Sequence, residues 1–405
     1  MFFKTDIKSD AKILSLVSAG HFVSHFMTLT LPPLFPFLQA DFSMSYTELG
    51  FIMTLFALST GIFQIPIGFL VDRIGAFCVL LIGLSVLCLS IGAIGFSNSQ
   101  WTLGALVILA GIANSVFHPA DYAVLTSVIK PVRLGKAFGV HTFAGHLGNA
   151  IAPITIIYLA LAWSWRIALV FVSAVGLVIM VCMFFGIRNN DIDSNLTKEN
   201  LNESGGLQER EEKNSIRIFF SIPLLKLFVF FVLTAAASNG MQTFSVSALV
   251  ALFDTPIVIA SASLTAFLFA TSVGILLGGV LADYTGRHDL IAAVAFGLTA
   301  IIIGFIGAVP FSSLILILLL TIAGLLQGVI RPARDMLVHA AAPAGETGKV
   351  FGFVTTGINV GAALMPLILG WLVDRGAVRW VFWLIALSMV LALLTVLTTK
   401  NSVDN

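Results

Sequence analysis

The chain contains twelve mostly apolar stretches, arranged as six stretches, a hydrophilic segment and six more. About 20 apolar residues span the hydrocarbon core of a bilayer as an α-helix. Because lipid cannot hydrogen-bond to an open backbone, these stretches have to be helical. The pattern predicts an all-α integral membrane protein with twelve transmembrane helices in two pseudo-symmetric six-helix bundles. The predicted spans are residues 11–38, 47–70, 77–97, 101–125, 138–161, 165–187, 218–252, 259–282, 289–309, 313–338, 351–372 and 379–399.

The composition excludes an ordinary soluble domain. Hydrophobic residues make up 58% of the chain and charged residues only 10%, with a mean hydropathy of +1.04. Soluble domains are about a quarter charged. The hydrophilic segment 188–217 is predicted to be a cytoplasmic linker between an N-terminal bundle at 1–187 and a C-terminal bundle at 218–405. The first ten residues are polar and charged, which does not fit a cleavable signal peptide.

The basic residues predict the orientation of the chain. Most of the 21 Lys and Arg residues fall in loops on the side of the membrane that would hold both termini. Cytoplasmic loops are those enriched in Lys and Arg. We therefore expect a multi-pass protein of the inner or plasma membrane with both termini in the cytoplasm.

The two halves of the chain repeat each other at a constant offset of 213 residues. Eight residues in the first half have an equivalent in the second half, and most of these pairs are identical. Parallel repeats are typical of transporters that move two bundles around a site near the bilayer midplane. The pairs are Gly111 and Gly324, His118 and Arg331, Pro119 and Pro332, Lys136 and Lys349, Gly139 and Gly352, Gly148 and Gly361, Pro153 and Pro366, and Arg166 and Arg379.

Two similar segments follow span 2 and span 8. The first is GFLVDRIG from residue 68, and the second is GVLADYTGR from residue 279. Both resemble GxLaDrxGrk, the loop signature of the major facilitator superfamily. The resemblance implies a two-bundle transporter in which helices 1, 4, 7 and 10 line a central cavity, with a cytoplasmic latch that stabilises one conformation. The latch residues would be Gly68, Asp72, Arg73, Gly279, Asp283 and Arg287.

Span 5 contains a helix-packing pattern formed by Gly139, Gly148 and Pro153. Small residues let membrane helices approach closely, and proline bends them. The pattern resembles the antiporter signature of the same superfamily, which implies exchange of a substrate against protons. Ala152 stands where the signature has a glycine, so a purely structural packing role remains the alternative.

Two further segments resemble the fosmidomycin resistance protein branch of the superfamily. They are GHFVSH at residues 20–25, leading to LPPL at 31–34, and SVFHP at 115–119. Characterised members of this branch export small compounds in exchange for protons. The resemblance implies an exporter but does not name a substrate.

Histidines in span 1 are candidates for proton coupling. His21 and His25 are four residues apart and share one helix face, near the middle of the membrane by residue count. Histidine changes charge near neutral pH, so such a pair can carry a proton or bind a substrate. The alternative is a neutral pair that bonds to backbone or to Ser24. The local spacing offers no third metal ligand, so no metal site is predicted, and His141 and His146 are taken as structural.

Further polar residues are expected to line the cavity of such a transporter. Arg331 would favour an anionic substrate, because arginine binds planar carboxylates well. The alternative is that Arg331 and Asp335 neutralise each other and close the inner gate. The expected cavity residues are His118 and Asp121 of span 4, Ser238, Asn239 and Gln242 of span 7, and Arg331 and Asp335 of span 10.

These patterns predict a secondary active transporter of a small organic, possibly anionic, compound, coupled to protons as an exporter. A proton-coupled importer of an organic anion or a metal complex is the alternative. A membrane enzyme or receptor is the alternative from another class, but no HExxH motif or nucleophile elbow is present. No Walker A sequence occurs, since Gly348 and Lys349 precede Val350. We expect a monomer in the lipid bilayer without a cofactor or a nucleic-acid partner.

Overall fold

The computed structural model describes residues 7–129, 131–187, 221–284, 288–341 and 347–400. All regular secondary structure in these ranges is helical. The helices before the linker are α1 (Ile7–Thr28), α2 (Phe35–Phe42), α3 (Tyr46–Ile74), α4 (Ala76–Ile94), α5 (Gln100–Asn114), α6 (Phe117–Val128), α7 (Pro131–Ala162) and α8 (Trp165–Ile187). Those after it are α9 (Ile222–Phe253), α10 (Ile257–Tyr284), α11 (His288–Ala308), α12 (Ser313–Ala341), α13 (Thr347–Asp374) and α14 (Arg379–Lys400).

The helical segments match the predicted membrane spans. Among the described residues, 11 segments are long and apolar enough to cross a membrane, and α14 adds a shorter apolar stretch at Arg379–Thr395. Each predicted span overlaps one of these twelve segments. The prediction of an all-helical, multi-pass membrane fold is confirmed.

Two of the predicted spans are interrupted. In span 1, α1 ends at Thr28, and the 3₁₀ turn Pro32–Leu34 leads into α2. In span 4, a turn at Ser115 separates α5 from α6. Pro119 has no backbone N–H to donate to the carbonyl of Ser115, so one bond of the α-helical ladder is missing where this break lies. The second break places His118 and Asp121 in the first turns of a new helix.

The chain is divided into two compact units. Among the described residues, the first unit contains residues 7–31 and 55–187, and the second contains 32–54 and 221–400. Helix α3 therefore contributes its N-terminal part to the second unit and the rest to the first. The predicted linker 188–217 lies outside the described residues.

Equivalent glycines in the two halves make equivalent close contacts. A Cβ atom on Gly148 of α7 would lie 2.2 Å from the carbonyl oxygen of Phe22 in α1. A Cβ atom on Gly361 of α13 would lie 2.3 Å from the carbonyl oxygen of Val232 in α9. In both places only a glycine lets the two backbones approach this closely. The sequence repeat is thus also a repeat of helix packing.

Equivalent arginines also repeat their contacts. Arg166, at the start of α8, donates from Nη1 to the carbonyl oxygen of Gly95 at 3.4 Å. Arg379, at the start of α14, donates from Nη1 to the carbonyl oxygen of Ala308 at 2.7 Å. Both acceptor carbonyls lie at the end of an earlier helix. Their residues, Gly95 and Ala308, are 213 residues apart, which is the offset of the sequence repeat. Each arginine supplies a hydrogen bond to a carbonyl that the helix end leaves unsatisfied.

Candidate functional site

A buried carboxylate lies between two imidazole rings in the first unit. Asp121 of α6 is fully buried, and its Oδ2 lies 2.8 Å from Nδ1 of His21 in α1. The same oxygen lies 3.2 Å from Nε2 of His141 in α7. The two rings stack with centroids 4.0 Å apart, and both histidines are buried. Three helices thus bring one ionisable group each to the same point, and we call His21, Asp121 and His141 the buried triad.

Three further histidines lie beside the buried triad. The ring of His25 is 4.5 Å from that of His21, and the ring of His118 is 6.0 Å from it. The ring of His146 is 6.3 Å from that of His25. Sequence reasoning selected His21, His25 and His118 but not His146 or His141. The sequence contains no local pattern that links these histidines, because those of α7 approach those of α1 only in the folded unit.

Asn149 of α7 contacts His25 at the edge of this cluster. Its Nδ2 lies 2.9 Å from Nδ1 of His25. When the amide N–H donates, Nδ1 is the acceptor and the ring proton is on Nε2. Pro153 lies four residues after Asn149 and removes the backbone donor that would bond to the carbonyl of Asn149. Sequence reasoning missed Asn149, although a polar amide inside an apolar span was a usable signal.

Helix geometry explains why these side chains meet. His21 and His25 lie one turn apart on α1, and His141, Gly145 and Asn149 lie at successive turns of α7. A Cβ atom on Gly145 would lie 2.6 Å from Cδ2 of His21 and 3.0 Å from Cδ2 of His25. Gly145 therefore leaves the space that the two imidazole rings occupy.

The buried triad is short of well-aligned hydrogen bonds. Among the described residues, no contact with hydrogen-bond geometry reaches either oxygen of Asp121, Nδ1 of His21 or either ring nitrogen of His141, and all of these atoms are buried. Burying a carboxylate is costly unless a positive or hydrogen-bonding partner compensates it. The 2.8 and 3.2 Å contacts of Asp121 are short enough for a shared proton, and the ligand atoms of the triad all lie within 4.8 Å of one another, as in a group that could hold a metal ion. The arrangement can therefore take up a cation.

A polar cavity of about 180 Å³ lies in the second unit. Its lining includes four of the residues that the sequence analysis placed at the substrate site, namely Ser238, Asn239, Gln242 and Arg331. Most of its lining comes from α9 and α12. The lining residues are Thr234, Ala235, Ser238, Asn239, Gln242, Phe296, Gln327, Ile330, Arg331, Arg334 and Ile358.

Amides and a hydroxyl form one wall of this cavity. Nε2 of Gln327 donates to Oγ of Ser238 at 3.0 Å, and Nδ2 of Asn239 donates to the carbonyl oxygen of Ala235 at 3.1 Å. Oε1 of Gln327 is buried and has no hydrogen-bond partner within the part of the chain that the structure describes. Sequence reasoning missed Gln327, although it lies one helical turn before Arg331. Its unsatisfied oxygen is available to accept from a ligand.

Two arginines contribute to the lining of this cavity. Arg331 and Arg334 both line it, and Cζ of Arg334 lies 4.5 Å from the ring centroid of Phe231. Arginine stacks favourably on an aromatic face. The side chain of Asp335 lies outside the described residues. The described part of the cavity combines cationic and hydrogen-bonding groups, as an anion-binding site requires.

A family model for the Major Facilitator Superfamily matches residues 17–260 and 234–404. The chain belongs to this superfamily. It is 23% identical to the fosmidomycin resistance protein of Escherichia coli strain K12, over 98% of this chain and 95% of that protein. It is also 23% identical to the hexuronate transporter of Bacillus subtilis strain 168, over 84% and 82% of the two chains. The nucleoside transporter NupG shares the fold, with a TM-score of 0.76 at 12% identity over 97% of this chain and 99% of that one. The protein is a transporter and not an enzyme, as predicted.

The superfamily loop signature lies at the end of α3. Gly68 is inside the helix, and no atom of the described residues lies within 4 Å of the position that a Cβ atom would take there. Gly75, after the helix, has a φ of 97° that glycine adopts readily. Asp72 and Arg73 are exposed. In the second copy, Gly279 is also helical, and no atom of the described residues lies within 4 Å of the position of a Cβ atom. The side chain of Asp283 and all of Arg287 lie outside the described residues.

The residues that resemble the antiporter signature are distributed along α7. Gly148 lies against the backbone of α1, as shown above, and Pro153 is buried within the helix. Gly139 has no atom within 4 Å of the position of a Cβ. Only the second glycine of the pattern is therefore a close-packing position within the described residues.

The residues expected from the sequence to bind the substrate or protons fall into two groups. His21, His25, His118 and Asp121 come together in the first unit. The second group lies in the second unit and consists of Ser238, Asn239, Gln242 and Arg331.

Proposed function

We propose that the protein is a proton-coupled exporter of a small organic anion that works by alternating access. The observation that carries the proposal is the buried contact of Asp121 with His21 and His141. The proposal includes a monomer in the cell membrane with both termini in the cytoplasm. Protons are the proposed coupling ion.

The buried triad has the chemistry of a proton carrier. A proton on either imidazole balances the negative charge of Asp121, and its loss leaves a buried carboxylate without a counter-charge. Histidine exchanges protons near neutral pH. A conformational change that hydrates the triad would stabilise the deprotonated form and so release the proton on one side. We propose that Asp121 and His21 carry this proton and that His25 and His118 relay it.

The cavity of the second unit supports an anionic substrate. Arg331 and Arg334 bring two guanidinium groups to the cavity, and Gln327 brings an acceptor that has no hydrogen-bond partner among the described residues. Hexuronate, after which one relative is named, is a carboxylate and would suit such a site.

Export is proposed because the chain resembles a resistance protein over nearly its whole length. The hexuronate transporter supports a second candidate, the import of an organic anion together with protons. The two candidates differ in the direction of proton flow relative to the substrate. An acidic lumen drives accumulation in liposomes by an antiporter, whereas an acidic medium drives it by a symporter.

The test uses purified protein in liposomes with an imposed pH gradient and radiolabelled fosmidomycin, glucuronate or galacturonate. Asp121→Asn and His25→Gln are expected to lose gradient-driven accumulation but to keep exchange at equal concentrations. The matched control is Asp254→Asn, because Asp254 is a helix-capping residue outside the triad with a φ of 49° that asparagine tolerates. A parallel series with a chelator separates proton binding from metal binding at the triad.

Four results would contradict the proposal. Accumulation of none of the anions would remove the substrate class, and accumulation that ignores the pH gradient would remove proton coupling. Normal uphill transport by Asp121→Asn, His21→Gln and His25→Gln with an unchanged pH profile would make the triad structural. Accumulation driven only by an acidic medium would replace export with import.

A further inference from the structure

The N-terminus of α3 is attached to the C-terminus of α13 by one carboxylate. Oδ1 of Asp374 accepts from the backbone N–H of Tyr46 at 2.8 Å, and Oδ2 accepts from the backbone N–H of Thr47 at 2.7 Å. Oδ2 also accepts from the hydroxyl of Thr47. Backbone N–H groups at a helix start have no partner within their own helix, and a negative charge there is favourable. Asp374 therefore supplies three charge-assisted hydrogen bonds between two helices.

The contact is additional to the helix's own cap. Glu48 accepts from the backbone N–H of Ser45 at 2.7 Å, and Oγ of Ser45 accepts from the N–H of Glu48 at 3.1 Å. This reciprocal pair is a capping box, which already stabilises the start of α3. Asp374 comes from a helix far later in the chain, so its hydrogen bonds connect two helices.

Close backbone packing follows directly behind this contact. A Cβ atom on Gly370 of α13 would lie 2.2 Å from the carbonyl oxygen of Tyr46. A Cβ atom on Gly50 of α3 would lie 2.3 Å from the carbonyl oxygen of Pro366. Small residues at such a crossing give a flat surface without interlocking side chains. Two helices that meet in this way can separate without repacking large side chains.

The segment that carries Asp374 is similar to the loop signature. The sequence GWLVDR at 370–375 differs from GFLVDR at 68–73 only at its second position. Asp72 lies near the C-terminal end of α3, whereas Asp374 binds its N-terminal end. The two copies therefore place a carboxylate at opposite ends of the same helix.

We propose that Asp374 is a conformational lock that joins α3 to α13 in one state of the transport cycle and releases it in the other. With both termini in the cytoplasm, this lock lies on the extracellular side, opposite the latch proposed for Asp72. It rests on the transporter class of the chain and not on the substrate or the coupling ion.

Labelling of a buried position behind the lock tests the proposal. Thr54 of α3 is buried, and its Oγ1 donates to the carbonyl oxygen of Ala363 in α13 at 2.6 Å. In a background where the exposed Cys78 and Cys182 are replaced by serine, Thr54→Cys is labelled with a maleimide in purified protein. Adding Asp374→Asn is expected to raise the labelling rate by about 10-fold, because bonds to a charged acceptor are lost.

Two further variants make the result specific. Thr47→Val removes one donor to Asp374 and keeps the carboxylate, so a rise of about 3-fold is expected. Glu48→Gln weakens the capping box at the same helix end without touching α13, and labelling is expected to stay unchanged. Unchanged labelling in Asp374→Asn, or an equal rise in Glu48→Gln, would overturn the lock. Labelling needs no substrate and no proton gradient, so failure of the proposed transport activity would leave this result intact.

Discussion

Replacing Gly148 with alanine tests whether close contact between α7 and α1 holds the buried triad together. The Cβ atom of the alanine would lie 2.2 Å from the carbonyl oxygen of Phe22 and 3.1 Å from its carbonyl carbon. Both are backbone atoms, so no side-chain rotation relieves the overlap. A tolerable separation of about 3.2 Å requires α1 to move by about 1 Å.

The shift of α1 would also move His21, the residue that precedes Phe22. His21 lies 2.8 Å from Asp121, and a shift of about 1 Å lengthens this contact beyond hydrogen-bond distance. Overpacking of this kind costs about 1–3 kcal/mol. Replacing a helical glycine with alanine gains about 0.5–1 kcal/mol on its own. Gly139→Ala on the same helix has this gain without a clash, since no atom lies within 4 Å.

The measurement is the free energy of unfolding of both variants, from titration with SDS followed by far-ultraviolet circular dichroism. The helix-propensity gain cancels in the comparison, so Gly148→Ala should be less stable than Gly139→Ala by about 1–3 kcal/mol. Gly148→Ala should also lose gradient-driven accumulation in liposomes, and Gly139→Ala should keep it.

Equal stability of the two variants would refute the reasoning. A difference below about 0.5 kcal/mol is the usual effect of a substitution that touches nothing. It would mean that α1 and α7 are not held in this close contact. If Gly148→Ala is less stable but keeps normal proton coupling, the close contact between α1 and α7 is confirmed. The buried triad would then not depend on that contact.

Three further results are expected. Arg331→Gln should weaken binding of an anionic substrate by about 2–5 kcal/mol, as measured by calorimetry, and equal binding by wild type and variant would remove Arg331 from the site. Asp72→Asn should shift the population towards the inward-open state and impair transport, whereas unchanged accessibility at both ends of the cavity would remove the latch. A cysteine at residue 200 or 402 should react with a membrane-impermeant maleimide only after the cells are opened, because the linker and the C-terminus are predicted to be cytoplasmic, and reaction in intact cells would overturn the topology.

The membrane fold could be predicted from the sequence because it depends on local chemistry. A run of apolar residues is stable in lipid only as a helix, so the spans follow from hydropathy alone. The break at Ser115 was not predicted, although Pro119 is visible in the sequence. Pro153 is also inside a span, and α7 continues through it. Whether a proline interrupts a helix depends on neighbours that can satisfy the freed carbonyl.

The candidate site was only partly predictable. His21 and His25 share a helix face by spacing, and Arg331 is unusual within a span, so each was recognised singly. His141 was interpreted as structural because its own helix offers no partner at a helical interval. Its partner Asp121 is on another helix, and only the folded unit shows that the two are 3.2 Å apart.

By itself, the sequence determined the helical class, the repeat and which residues are ionisable inside the membrane, because these follow from residue type and spacing. Only the tertiary structure decided that Asp121 lies between His21 and His141, and that Asp374 holds the start of α3. Contacts between helices depend on how closely backbones approach and at which register. Those quantities are set by packing at sites such as Gly145, where the space of one missing side chain is filled by groups distant in sequence.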